Sequence, residues 1–204
     1  MTEAVIVDAI RTPGGKRNGK LKDWHPVDLA SEVLKALVRR NNLDTALIDD
    51  VIMGCVSQTG EQGLNVGRNA LLAAGFPEHV PGITIDRQCG SSQQAVHFAA
   101  QGVMAGVYDI VIAGGVESMT RVPMGITMQQ GPGLPFGPQM LERYDNGIVP
   151  QGISADIIAT EYGFTRDQAD ELARRHRQAH AVDDRAEAAP HRQVAQVQPH
   201  HAPS

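Results

Sequence analysis

The chain has 204 residues, a net charge of −5, and 18 Lys plus Arg against 23 Asp plus Glu. That length supports one good core, or one core with an appendage, and the balance lacks the positive excess of a nucleic-acid-binding protein. Aromatics at 4% argue against a β-sandwich with aromatic core strands, and two cysteines without a Cys-x-x-Cys pair build neither a disulfide framework nor a structural zinc site.

In chain order, Val5-Ile6-Val7 reads as a buried strand running into the turn-rich Arg11-Thr12-Pro13-Gly14-Gly15. Pro26 suits a first helical turn, and Leu29, Val33 and Leu37, with Ala30 and Leu34 beside them, give that helix one apolar face to about Arg40. Val51-Ile52-Met53 is a second strand reaching Cys55-Val56. A polar, glycine-rich loop follows from Gln58 to Gly63, and Asn65 can cap a helix through Ala74, stopped by Gly75 and Pro77.

Ile83 to Asp86 is a third strand and delivers Cys89 to the start of a helix over 91–105, apolar at Ala95, Val96, Ala99 and Val103. Asp109 to Ala113 is a fourth strand, closed by Gly114-Gly115. Strands alternating with helices predict a sheet covered by helices, and runs without strict alternation predict strands buried on both faces.

The character changes near Thr120. Residues 119–150 read as a proline- and glycine-rich excursion, and 151–184 as a helical segment with Thr165 and Gln168 in a capping box. From Arg174 to the end there is no Leu, Ile, Met or Phe, so 185–204 is expected to lack a stable fold. The histidines of that tail, His176, His180, His191, His200 and His201, raise a metal-binding reading, but their spacing matches no compact ligand set. The Met1-Thr2-Glu3 start has no basic n-region before an apolar stretch, and no apolar run approaches about 18 residues, so neither a signal peptide nor a membrane span is expected and a reducing cytoplasm is.

Cys89 carries the chemistry. A helix N-terminus offers free N–H groups and partial positive charge, which favour a thiolate, the competent nucleophile for acyl transfer. Gly90 removes bulk beside it and has an N–H that could point at an attacked carbonyl oxygen, while Ser91 and Ser92 keep the approach small and polar. The competing reading makes Cys89 a small buried hydrophobe at a strand–helix corner. Cys55, within an apolar strand, reads as core. His97 lies eight residues beyond Cys89 on the same helix, about 12 Å along its axis and too far for contact; His25 and His79 fall in loops. Asn65 and Arg68 either support the site or only cap a helix. Glu117, after the fourth strand, either orients active-site groups or bonds to nearby backbone N–H groups.

At these residues the chain resembles the N-terminal part of the thiolase family, acetyl-CoA and 3-ketoacyl-CoA acyltransferases. The matching blocks are Asp8 to Pro13, Gly60 to Arg68, Asp86 to Ser91, Gly114 to Met119, and Pro150 to Ala155, over about residues 3–173. The resemblance implies an α/β fold, a layered α/β/α domain with a mixed five-stranded sheet, core 1–118, and helix 91–105 at its buried centre. It makes Cys89 the residue that takes the acyl group from CoA. It also implies coenzyme A as a substrate with no covalently bound cofactor and no metal, acyl-CoA and CoA as partners with neither nucleic acid nor membrane, and a homodimer or tetramer. Met124, Met128 and Phe136 become candidate substrate-binding residues of the CoA-side excursion.

The blocks of the family's second domain, which carry its base, its second cysteine and an oxyanion residue, do not occur among these residues. A truncated or frame-shifted gene product, inactive by itself, is therefore expected, and a non-catalytic subunit or half of a split enzyme is the alternative. Ketosynthases share a cysteine at a helix start, but Arg11-Thr12-Pro13 and the Gly-Gly-x-Glu-Ser-Met block favour the thiolase branch.

Overall fold

The computed structural model describes residues 3–129, 131–144, 147–186 and 195–199. They fall into two compact units, residues 1–131 with 190–204, and residues 132–189.

The first unit is a three-layer α/β/α sandwich. Its strands are β1 (Ala4–Ile6), β2 (Asp50–Gly54), β3 (Gly82–Ile85), β4 (Val111–Gly115) and β5 (Ala195–Pro199), in the order β1-β5-β4-β2-β3. β2 runs parallel to both β3 and β4, while β5 is antiparallel to both β4 and β1. Strands β1 to β4 therefore share one direction, and the loops that follow them all emerge at the same end of the sheet. A mixed five-stranded sheet is what the motifs imply.

Helices α1 (Pro26–Asn41) and α2 (Val66–Ala73) cover one face. The stripe that α1 buries is Ala30, Leu34 and Leu37, one step round from the Leu29–Val33 line that the sequence put first; Leu29 and Val33 are half-buried. This core joins Leu34, Leu37, Val51, Met53, Leu71, Val80 and Ile112. At roughly 1.5–3 kcal/mol per buried aliphatic side chain, such clusters hold the sheet to its helices. His25 caps α1, its Nδ1 accepting from the Val27 N–H at 3.3 Å.

Helix α3 (Ser91–Met104) covers the other face through Ala95, Ala99 and Val103, packed on Ile52, Val111 and Ala113. It is not buried all round as the resemblance implies: Ser92, Gln93, His97, Phe98 and Met104 are exposed, because the described residues place no second layer over its outer face. Nor is β1 buried. Ile6 and Val7 are exposed, since β1 forms an edge of the sheet. Residues 195–199, expected to lack structure, form β5. Their register sets Val197 opposite both Val111 and Ile6, so the backbone there satisfies the hydrogen-bonding edges of β4 and β1. Composition reports on side-chain burial and is silent on backbone pairing of this kind.

The second unit contains α4 (Pro138–Glu142), α5 (Gln151–Glu161) and α6 (Arg166–Ala186). The capping box is present: the Thr165 N–H donates to Gln168 Oε1 at 2.8 Å and the Gln168 N–H to Thr165 Oγ1 at 3.3 Å. Arg166–Asp170 and Arg175–Glu171 pairs lace the solvent face of α6. On α5, Ile153, Ile157 and Ile158 are exposed.

Candidate functional site

Cys89 is exposed, at the turn between β3 and α3. The residue before it, Gln88, has φ +50°, a left-handed conformation uncommon outside glycine. The surroundings over-determine that turn. The Gln88 N–H donates to Asp86 Oδ1 at 2.7 Å, its carbonyl accepts from the Ser91 N–H at 3.0 Å and from Ser91 Oγ at 2.6 Å, and the Arg87 N–H donates to Ser91 Oγ at 2.9 Å. Ser91 is buried, so its hydroxyl is the pin of the turn and does not line the approach as the sequence suggested. The Arg87 guanidinium in turn bonds Gln94 on the next turn of α3.

The Gly90 N–H donates back to the Arg87 carbonyl at 3.1 Å, so this turn uses it internally and does not aim it at an acyl oxygen. Gly90 is the N-cap of α3 and has no side chain to shield the neighbouring thiol.

Two glycines set the height at which Cys89 is displayed. A Cβ on Gly54, at the end of β2, would collide with the Ser91–Ser92 peptide. A Cβ on Gly115, at the end of β4, would collide with Ser92 Oγ and the Gly54 carbonyl. The start of α3 thus rests directly on two bare strand ends. Of the Gly114-Gly115 pair, Gly115 makes the close approach anticipated from the sequence.

Glu117 takes the plainer of its two readings. It accepts from the Val56 N–H at 2.7 Å, the Ser57 N–H at 3.3 Å and Gln62 Nε2 at 2.9 Å. Gln62, fully buried, also donates to the Ser57 carbonyl at 3.0 Å and accepts from the Ser118 N–H at 2.7 Å. Together they lash the loop after β2 to the loop after β4. Gln62 carries no sequence signal beyond its place in the block from Gly60 to Arg68. Cys55 Sγ lies 3.8 Å from Glu117 Oε2. Burial first, then the carboxylate beside it, pushes that thiol up to about 12, and Cys55 stays an inert core thiol.

Asn65 is the N-cap of α2, its Oδ1 accepting from the Arg68 N–H at 3.2 Å and from Thr84 Oγ1 at 2.8 Å, with Nδ2 donating to the Gly82 carbonyl at 2.7 Å. Arg68 bonds the carbonyls of Val80 and Glu78. Both side chains clamp α2 to β3 and the loop before it; their donors are spent there and not on the thiol. His79 Nε2 lies 3.2 Å from the Ala46 carbonyl, and His97 is exposed on α3. Met124 and Met128 are exposed in the segment after β4, while Phe136 is half-buried in the second unit.

A groove of about 430 Å³ runs along the other end of α3, lined by Ile52, Ile83, Ile85, Phe98, Val107 and Tyr108 among others, apart from Cys89. Tyr108 donates from its hydroxyl to Asp50 Oδ2 at 2.9 Å; burial and then that carboxylate raise its pKa. Among the described residues no group of three or more His, Cys, Asp or Glu could hold a metal ion, and no helix is long and apolar enough to cross a membrane. His191, His200 and His201 lie outside the described residues.

The sequence profile of the thiolase N-terminal domain matches residues 4–196, beyond residue 173 where the motifs give out. A steroid 3-ketoacyl-CoA thiolase of Mycobacterium tuberculosis is 44% identical over 174 residues, covering 82% of this chain and 43% of the relative. A 3-ketoacyl-CoA thiolase of Shewanella loihica is 43% identical over 185 residues, covering 89% and 46%. The crystal structure of the Bacillus anthracis acetyl-CoA acetyltransferase superposes with a TM-score of 0.73 at 36% identity, over 90% of this chain and 48% of that one. The chain thus spans less than half the length of these relatives.

Proposed function

The chain belongs to the thiolase family, and from that premise we propose that it contributes the nucleophilic half of an acyl-CoA C-acyltransferase site. In the thiolytic direction Cys89 Sγ attacks the 3-keto carbon of a 3-ketoacyl-CoA. The bond between C2 and C3 breaks, C2 takes a proton and leaves as acetyl-CoA, and the shortened acyl group stays on sulfur as a thioester. The thiol of a second CoA then attacks that thioester, and the thiolate returns to Cys89. Condensation is the reverse. The carrying observation is the exposed Cys89 on its pinned left-handed turn, seated on Gly54 and Gly115 at the start of α3.

Both steps move protons, and the histidines described near the sheet are spent on a helix cap and a carbonyl or face solvent. The base and acid come from a second domain of the family type, in the same or a complementary chain, and the 204 residues alone turn over little or nothing. Met124 and Met128 in the first unit, and Phe136 in the second, are each candidates for contact with the acyl-CoA. Asn65, Arg68 and Glu117 support the site indirectly, by fixing the loops around it. Acyl groups of fatty or steroid side-chain type fit the named relatives. Two unpaired cysteines suit a reducing cytoplasm, and the edge position of β3 suits a homodimer or tetramer.

Incubation with acetyl-CoA or a 3-ketoacyl-CoA, followed by intact-mass measurement and peptide mapping, tests this. An acyl adduct on Cys89, absent from Cys89→Ala, supports it. No adduct, even with a thiolase C-terminal domain supplied, leaves only the non-catalytic role.

A further inference from the structure

Arg87 and Gln88, the two residues before Cys89, carry four backbone polar groups, and each group has a partner. The Arg87 N–H donates to Ser91 Oγ at 2.9 Å, and the Arg87 carbonyl accepts from the Gly90 N–H at 3.1 Å. The Gln88 N–H donates to Asp86 Oδ1 at 2.7 Å, and the Gln88 carbonyl accepts from the Ser91 N–H at 3.0 Å and from Ser91 Oγ at 2.6 Å. One hydroxyl therefore serves both ends of the Arg87-Gln88 pair, accepting from the first residue and donating to the second. A hydroxyl is the small side-chain group that does both at once.

That double bond matters because Gln88 sits at φ +50°. A residue with a side chain stays in that region only where its surroundings enforce it. The Gln88 side chain is exposed and reaches only Asp86, at 3.5 Å, so the enforcement falls to the backbone partners. Ser91 is 4% exposed, which leaves water little access to replace its hydroxyl. Cys89 follows Gln88 directly, so relaxation of that left-handed φ swings the thiol relative to the start of α3.

We propose that Ser91 is a positioning residue for acyl transfer: its hydroxyl locks the left-handed Gln88 and so holds the Cys89 thiol in the orientation from which it attacks an acyl carbon. The inference rests on the acyl-CoA reading of Cys89 and adds to it the group that aims the sulfur. Ser91 touches no reacting atom. It acts through the Arg87 N–H and the Gln88 carbonyl, and the reacting geometry it protects is one in which small displacements are costly.

The test follows acetylation of Cys89 in the full chain by S-acetyl-N-acetylcysteamine, read by intact mass and peptide mapping, with circular dichroism confirming that each variant is folded. Cys89 Sγ attacks the thioester carbonyl, the bond to the cysteamine sulfur breaks, the acetyl group stays on Cys89, and N-acetylcysteamine leaves as the thiol with the proton that Cys89 gave up. Ser91→Ala is expected to slow this step about ten-fold, and Ser91→Thr, which restores the hydroxyl, to recover most of the rate. Ser31→Ala removes another buried serine hydroxyl, bonded to the Asp28 carbonyl at 2.8 Å on α1, and should leave the rate at the wild-type value. Variants of the exposed Gln88 reach the same turn without touching the core, and they carry the test should Ser91→Ala not fold. Gln88→Val, whose β-branched side chain resists positive φ, should be slower than Gln88→Gly, which adopts it freely. Equal rates in wild type and Ser91→Ala, equal slowing by Ser31→Ala, no recovery in Ser91→Thr, or Gln88→Val as fast as Gln88→Gly overturns the proposal. Equal rates strike Ser91 alone, whereas no acetylation of Cys89 in wild type strikes the acyl-transfer reading and the proposal with it.

Discussion

Gln62 Nε2 donates to Glu117 Oε1 across 2.9 Å, joining residues 55 positions apart in sequence. That bond closes a ring in which the Gln62 amide oxygen receives the Ser118 N–H and the Glu117 carboxylate receives the N–H groups of Val56 and Ser57. A carboxylate is acceptor-only, which is what three converging donors require.

Glu117→Gln keeps the shape and turns one acceptor into a donor. It is expected to cost roughly 1–3 kcal/mol, since a buried N–H loses its partner. Urea unfolding checks this through a lower midpoint at unchanged slope. A shift within about 0.3 kcal/mol would contradict the ring.

Substitution of the glycine floor should separate close approach from open space. Gly54→Ala forces a Cβ into the Ser91–Ser92 peptide, whereas Gly14 has no atom within 4 Å of its Cβ position. The first is expected to destabilise by roughly 1–3 kcal/mol and to slow modification of Cys89. Gly14→Ala should leave stability within about 0.5 kcal/mol. Thermal melts and iodoacetamide labelling read both.

The two thiols should differ in reactivity. Iodoacetamide at mildly alkaline pH is expected to add once to the native chain, at Cys89, and twice in guanidinium chloride. Peptide mapping identifies the sites; early double labelling of the native state would show that the Cys55 core opens readily.

Cys55 also predicts an alkaline limit to stability. Its folded-state pKa is raised to about 12, from an unfolded value near 8.5. The folded chain therefore keeps a proton that the unfolded chain releases. The contribution is complete below the unfolded value and is lost as pH climbs toward about 12. Glu61 works at the other extreme: the Arg121 guanidinium holds its carboxyl below the usual range, so this stability is present above the unfolded carboxylate pKa and lost as pH falls through the folded one. Denaturation midpoints across pH should fall at both ends. Cys55→Ala should flatten the alkaline limb, and Arg121→Gln the acid one.

Asn65→Ala removes a helix cap, takes the acceptor from the Thr84 hydroxyl, which keeps only the Gly67 N–H, and takes the side-chain donor from the Gly82 carbonyl. A loss of roughly 1–3 kcal/mol is expected in chemical denaturation, and Asn65→Asp, which keeps the cap but not the donor to Gly82, should recover part of it.

Much of this architecture was readable because it is local. A short β-like run followed by Cys89, Gly90 and serines announces a strand–helix turn, and Ala95, Ala99 and Val103 repeat at helical spacing. Gln62 was not legible, because a buried amide in a glycine-rich loop shows its worth only when Glu117 and Ser118 arrive from a distant strand. Ser91 hides its role for a similar reason: its hydroxyl turns inward to the Gln88 carbonyl. The aliphatic residues of β1 predict burial, although edge or centre is decided by strand order. The same is true of β5, whose place between β4 and β1 depends on backbone pairing that composition does not encode.

The helices α1, α2 and α3 run back to the end of the sheet away from Cys89 and stop at Asn42, Gly75 and Gly106, each with positive φ. Nothing lies within 4 Å of the Cβ positions of Gly75 and Gly106. Both glycines hold a positive φ that a side chain would strain, so a tether inserted beside those two turns, with the glycines kept, would sit remote from the thiol and let the molecule be immobilised while its reactive face stays unobstructed.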